Sequence, residues 1–164
     1  MENLVGILPL IPYPQAVERL AGAFAWHRKV GIFGGAYQHE VGLFLDALPE
    51  ELRAGLVAGE VESQLRFVDD PDLPAEGYEL AILADEAIEI RASSRTGVFY
   101  ALQSLRQLIF GGYHPGKAVV EVGCVRIQDA PRFGWRGFML DEERHFQGMP
   151  TVKDLLDWMA YLKM

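Results

Sequence analysis

Cysteine is almost absent: Cys124 is the single one in 164 residues, so no disulfide can form within the chain. A chain of this length can close a core on apolar burial alone, without crosslinks or a structural metal. Cys124 sits in the apolar stretch 119–127, where a thiol packs as a small hydrophobe rather than serving as a nucleophile. Basic residues are outnumbered: 15 Lys and Arg stand against 23 Asp and Glu, a net charge of −8. Nucleic-acid binding needs a basic face, so no nucleic-acid partner is expected. The chain start lacks a basic region, its first Lys or Arg being Arg19, so no secretory leader is expected. No apolar run approaches the ~20 residues of a membrane span, and no membrane partner is expected. A cytoplasmic location is the default reading, with a secreted parent left open. Repeats and low-complexity tracts are also missing.

What is present reads as alternating strands and helices. Residues 7–14 are apolar and proline-rich and suggest an extended leading segment. A short strand is expected over 29–33. Val41, Phe44, Leu45 and Leu48 fall at helical spacing, with Pro49 as the stop. Val61, Ser63, Leu65 and Phe67 alternate and predict a strand over 61–68. Tyr78, Leu80 and Ile82, then Ile88 and Ile90, predict a hairpin turning at Asp85-Glu86. Ser93-Ser94 offers an N-cap to the strongest helical stripe, Val98, Ala101, Leu102, Leu105, Leu108 and Ile109, which Gly111-Gly112 should end. Residues 118–127 predict another strand.

Asp129-Ala130-Pro131-Arg132-Phe133 is the best boundary, because the proline breaks regular structure and a new pattern follows. The division expected is 1–128, a linker at 129–134, and 135–164. Residues 135–140 show little alternation, as in a strand covered on both faces. Thr151 and Asp154 resemble a capping box ahead of a helix whose apolar face is Val152, Leu155, Trp158, Met159 and Leu162. One strand and one helix cannot close a core by themselves. Docking of this unit on the rest of the chain, or on a second copy, is therefore expected, the second copy being the preferred partner.

Three clusters carry possible chemistry. His39-Glu40 resembles the start of a zinc motif, but Leu43 stands where the second histidine would be, so a solvated helix face is the better reading. Asp85-Glu86 has the composition of a turn. Asp141-Glu142-Glu143-Arg144-His145 follows the buried-type stretch directly, which is where βα barrels build their sites. Carboxylates beside an arginine fork there suit a polyol.

Three segments together resemble family 20 glycoside hydrolases, the β-N-acetylhexosaminidases. They are Ile7 through Gln15; Tyr78 through Ala92 with Gly97-Val98-Phe99-Tyr100 and Leu102 through Leu108; and Ile127 through Phe133 with Trp135-Arg136-Gly137, Leu140-Asp141 and Arg144-His145-Phe146. The resemblance implies an α/β (α+β) fold: a zincin-like N-terminal domain with an antiparallel-dominated sheet, then the first strand and helix of a (β/α)8 barrel. It implies removal of terminal β-linked N-acetylglucosamine or N-acetylgalactosamine with retention, the substrate's own acetamido oxygen acting as nucleophile. No cofactor or metal is implied. Arg144 matches the family arginine that bonds sugar hydroxyls, and Asp141 matches a supporting aspartate, whereas Glu143 departs from the small residue common there. The family's catalytic Asp-Glu pair follows a His-x-Gly-Gly stretch that this sequence does not contain. The chain alone is expected to be inactive. The alternative is a stand-alone interaction or binding module that reuses the fold.

Overall fold

A computed structural model describes residues 7–84, 87–141 and 143–164. The strands are β1 (Ala16–His27), β2 (Gly31–Ile32), β3 (Gly55–Leu56), β4 (Leu65–Asp69), β5 (Tyr78–Ile82), β6 (Ile88–Ala92) and β7 (Val119–Asp129). The helices are α1 (Gln38–Asp46), α2 (Arg95–Gly112) and α3 (Met149–Tyr161). The strands form one sheet in the order β1-β7-β5-β6-β4-β2-β3.

Alternation explains which face is buried. Tyr78, Leu80 and Ile82 of β5 and Ile88, Ile90 and Ala92 of β6 all point to one side and are buried. Helix α2 lies against that side, burying Val98, Ala101, Leu102, Leu105 and Ile109. Helix α1 adds Val41, Phe44 and Leu45, with the Phe44 ring meeting Trp26 of β1 edge-on at 5.6 Å. On the opposite face Arg91 pairs with Asp70 at 2.8 Å, Glu79 at 3.7 Å and Glu89 at 3.8 Å. That face is a charged ladder rather than a second core.

Several sequence expectations need correction. The sheet is mixed: β1–β7, β7–β5 and β5–β6 are antiparallel, while β6–β4, β4–β2 and β2–β3 are parallel. Most of the paired residues nevertheless lie in the antiparallel ladders, as expected. Strand β1 carries no expectation from sequence, because its pairing with β7 shifts register between Arg19 and Ala23 and the alternation changes phase there. Gly22, at φ +97°, occupies the irregularity in a conformation that side chains rarely adopt. The strand expected over 61–68 begins only at Leu65, and Val61 is fully exposed on a short 3-10 turn. The hairpin forms, with Asp85 and Glu86 lying outside the described residues.

The largest correction falls on residues 135–140, which form no strand. Trp135 is 85% exposed and Met139 92%. A strand needs a ladder partner, and among the described residues no strand pairs with this stretch. The helix that follows does form, but it starts at Met149, with Gly148 as N-cap and no capping box. Thr151 instead donates its hydroxyl to the Gln147 carbonyl at 3.0 Å.

Candidate functional site

The loop carrying the sequence-predicted site residues runs from Asp141 into α3. Asp141 Oδ1 accepts a hydrogen bond from the Glu143 amide at 3.1 Å, a local turn of the kind aspartate favours. Arg144, three residues on, is exposed, as is Asp141. Gln147 Nε2 reaches back to the His145 carbonyl at 3.4 Å. Asp141 and Arg144 are thus both exposed on one loop, while Glu142 lies outside the described residues. An exposed guanidinium can donate to neighbouring hydroxyls, and an exposed carboxylate can accept from them.

The end of α3 brings together residues that sequence reasoning missed. Helix α3 ends in a complete C-terminal capping motif: the Met164 amide bonds to the Met159 carbonyl and Lys163 to Ala160. Lys163 takes the left-handed position at φ +60°, where glycine is usual. Its side chain is 5% exposed and turns inward, donating to Tyr78 Oη at 3.0 Å and to Asp129 Oδ2 at 3.2 Å. Tyr78 Oη also bonds to Asp129 Oδ2 at 3.1 Å and to Ser104 Oγ at 2.6 Å. The Tyr161 carbonyl accepts from Gln107 Nε2 of α2 at 2.9 Å, and the Lys163 carbonyl from Arg136 Nε at 3.2 Å. Arg136 is held in turn by Glu76 at 2.7 Å and Tyr100 at 2.9 Å. The carbonyls a helix leaves open at its C-terminus are thereby satisfied by the sheet-and-helix body. Segment 133–164 docks on its own chain through these contacts.

The electrostatics follow from burial and pairing. Burial pushes the Lys163 amine down, opposed by the Asp129 charge. It pushes the Tyr78 phenol up, and the same aspartate adds to that rise. The carboxyls with a resolved shift are all held low: Glu51 by the Tyr113 hydroxyl, Asp70 by Arg91 and Glu76 by Arg136. A general acid needs the opposite shift, so these three are poor proton donors. One sign of this network was legible in retrospect: Lys163 is a lone charge closing the apolar face of α3, and such a charge either reaches solvent or finds a buried partner.

His39 is exposed, and Glu40 is not on a solvated face as expected, being 7% exposed and paired with Arg95 at 3.2 Å. Among the described residues no cluster of His, Cys, Asp and Glu could hold a metal ion. No described helix is long and apolar enough to cross a membrane.

The geometry defines a class first: a mixed α/β body carrying a latched loop-and-helix unit in which Asp141 and Arg144 are exposed. The family follows from comparison. Residues 8–130 match the model of glycosyl hydrolase family 20, domain 2, and residues 133–164 match that of the family 20 catalytic domain. The chain belongs to glycoside hydrolase family 20. It is 30% identical over 172 residues to a β-hexosaminidase of Porphyromonas gingivalis, covering 94% of this chain and 21% of that protein. A family 20 exo-β-N-acetylglucosaminidase of Vibrio harveyi, solved with N-acetylglucosamine, superimposes with a TM-score of 0.81 at 27% identity, covering 97% of this chain and 25% of that one. A β-N-acetylhexosaminidase of Bacteroides fragilis gives 0.79 at 34% identity, covering 95% and 32%. The chain therefore spans between a fifth and a third of the length of these relatives.

Proposed function

We propose that this chain is the non-catalytic domain and the first βα unit of a β-N-acetylhexosaminidase, an enzyme that removes terminal β-linked N-acetylglucosamine or N-acetylgalactosamine. The observation that carries the reading is the succession of two family 20 segments, residues 8–130 and 133–164, in one chain. On this reading residues 1–128 correspond to the zincin-like domain, 129–134 to a linker and 135–164 to the start of a (β/α)8 barrel. Residues 135–140 would become an inner strand only when neighbouring strands complete their hydrogen bonds.

In the whole enzyme the substrate's acetamido group would act as nucleophile, so the protein supplies a proton donor and orientation rather than a nucleophile of its own. This chain supplies part of the orientation. Arg144 would donate to a pair of sugar hydroxyls, and Asp141 would hold the turn in shape through the Glu143 amide. Its role is to bind and position, not to transfer protons.

The test is an assay of the chain against p-nitrophenyl N-acetyl-β-glucosaminide. No turnover above buffer is expected, since a missing general acid alone removes roughly 10²–10⁴ in rate. Turnover that copurifies with the chain and disappears in Glu142→Gln would overturn the assignment. Reading the source gene past Met164 separates the alternative. Continuation into a His-x-Gly-Gly-Asp-Glu stretch supports the enzyme, and an immediate stop favours a stand-alone module.

A further inference from the structure

Residues 7–15 lead into β1 without regular secondary structure, yet they are firmly seated. Leu10 is buried in the core, and Pro9 lies so close to α2 that a Cβ at Gly111 would meet its ring at 2.3 Å. Gln107 of α2, itself buried, holds the backbone beside them. Its Oε1 accepts from the Ile11 amide at 2.7 Å, and its Nε2 donates to the Ile11 carbonyl at 2.9 Å. The same Nε2 donates to the Tyr161 carbonyl at the end of α3, also at 2.9 Å. Asp129 repeats the arrangement. Its Oδ1 accepts from the Gln15 amide at 3.3 Å, and its Oδ2 from Lys163 Nζ at 3.2 Å and Tyr78 Oη at 3.1 Å. Two side chains of the sheet-and-helix body thus each hold both segment 7–15 and the end of α3.

Sharing makes the two dockings interdependent. A backbone N–H can bond only to the oxygen of a glutamine amide, so Ile11 fixes which way the Gln107 amide faces. Facing that way, it presents one hydrogen to Ile11 and the other to Tyr161, and both are used. If Ile11 leaves, the oxygen and one hydrogen lose their partners in the interior, which is costly unless the amide turns or water enters. Either response disturbs the bond to Tyr161. The converse holds if Tyr161 leaves first, because coupling between two bindings is reciprocal. We propose that segment 7–15 is a strap that controls the docking of α3: seated, it locks the C-terminal end of the helix on α2, and displaced, it releases it. Movement of the chain ahead of the strap thereby reaches α3. The strap rests on buried contacts and not on the role given to Arg144.

Amide hydrogen exchange of the whole chain, followed residue by residue by NMR, tests the strap. Leu10→Ala loosens segment 7–15 from the core. The amides of Leu162, Lys163 and Met164 bond to carbonyls of the last turns of α3, and they report its end. Their exchange should quicken about tenfold beyond any change at Leu80 and Ile90, which report the body. Lys163→Met should quicken exchange of the Ile11 amide in the same way, although it lies at the other end of the chain. Gln107→Leu removes one of the two bridges, and in that background Leu10→Ala should move the α3 amides less. Leu10→Val, a milder change, should give the same pattern at smaller amplitude if Leu10→Ala does not fold. Exchange at the end of α3 that rises only as much as at Leu80 and Ile90 would overturn the proposal. So would an Ile11 amide untouched by Lys163→Met, or an undiminished effect of Leu10→Ala in the Gln107→Leu background.

Discussion

Single residues in this chain carry charge where it is costly, and the partners determine its sign. Tyr37 donates its hydroxyl to Asp69, and that bond, with burial and the aspartate's charge, raises its pKa from the ordinary 10.0 to about 12. A folded-state pKa above the unfolded one means that Tyr37 contributes full stability below pH 10. That contribution is lost as the pH rises through 12. Melting temperature measured against pH should therefore fall across this window. Tyr37→Phe should lose about 1 kcal/mol near neutral pH through the missing bond, yet show a shallower alkaline fall. An equally steep fall in the variant would count against the Tyr37–Asp69 pair as a cause. Lys163 gives a larger effect. Lys163→Met leaves the Asp129 carboxylate 12% exposed without its cation, and roughly 3 kcal/mol should be lost in urea unfolding. Adding Asp129→Asn to that variant should restore part of the loss. The partners at neither site were legible in the sequence, because each site joins residues far apart in the chain that only the fold brings together.

At the scale of elements, legibility followed periodicity. The β5–β6 hairpin and α2 stand where alternation and the helical stripe place them, since their repeats run uninterrupted. Strand β1 was hidden because Gly22 breaks its alternation, and residues 135–140 misled because a buried-type composition does not supply a ladder partner. The Asp141–Arg144 turn was legible as a charged cluster after an apolar run. The docking of α3 through Lys163 and Arg136 was not. Helix α2 also makes a contact that helix propensity would not suggest. A Cβ at Gly97 would meet the Gly77 carbonyl oxygen at 2.3 Å, a backbone atom that can yield only if the loop moves. Propensity alone would have Gly97→Ala stabilise the helix by about 1 kcal/mol. The close approach predicts the opposite sign, a loss of roughly 1–3 kcal/mol by urea unfolding. Ser94→Ala tests the same helix end: Ser94 Oγ accepts from the Gly97 amide at 3.2 Å, and its removal should cost about 1 kcal/mol.

For the whole molecule, the question is how an apolar segment behaves when it is only partly covered. The C-terminal end of α3 is docked in the same chain, through Lys163, Gln107 and Arg136. Copy exchange is therefore not needed to satisfy it, and the expectation that a second copy provides the docking surface does not describe these contacts. The stretch ahead of α3 is different. Phe133, Trp135, Phe138, Met139, Phe146 and Met149 are each more than half exposed. Burying one such side chain is worth roughly 1.5–3 kcal/mol, and several close together exceed what a soluble monomer ordinarily leaves open. Residues 135–140 also present backbone donors and acceptors outside any ladder, which favours pairing with another copy. The chain should therefore associate with itself through 133–149 while α3 stays docked in cis. Sedimentation equilibrium should show the average mass rising with concentration. Trp135→Ser combined with Met139→Ser, two exposed changes that leave the latch intact, should return it to the monomer mass. A wild-type chain that stays monomeric at high concentration would sink the association. If the double variant associates as strongly as the wild type, association runs through some other surface. Lys163→Met separates the two kinds of contact, since it should loosen α3 and speed proteolysis within 130–148 without abolishing association.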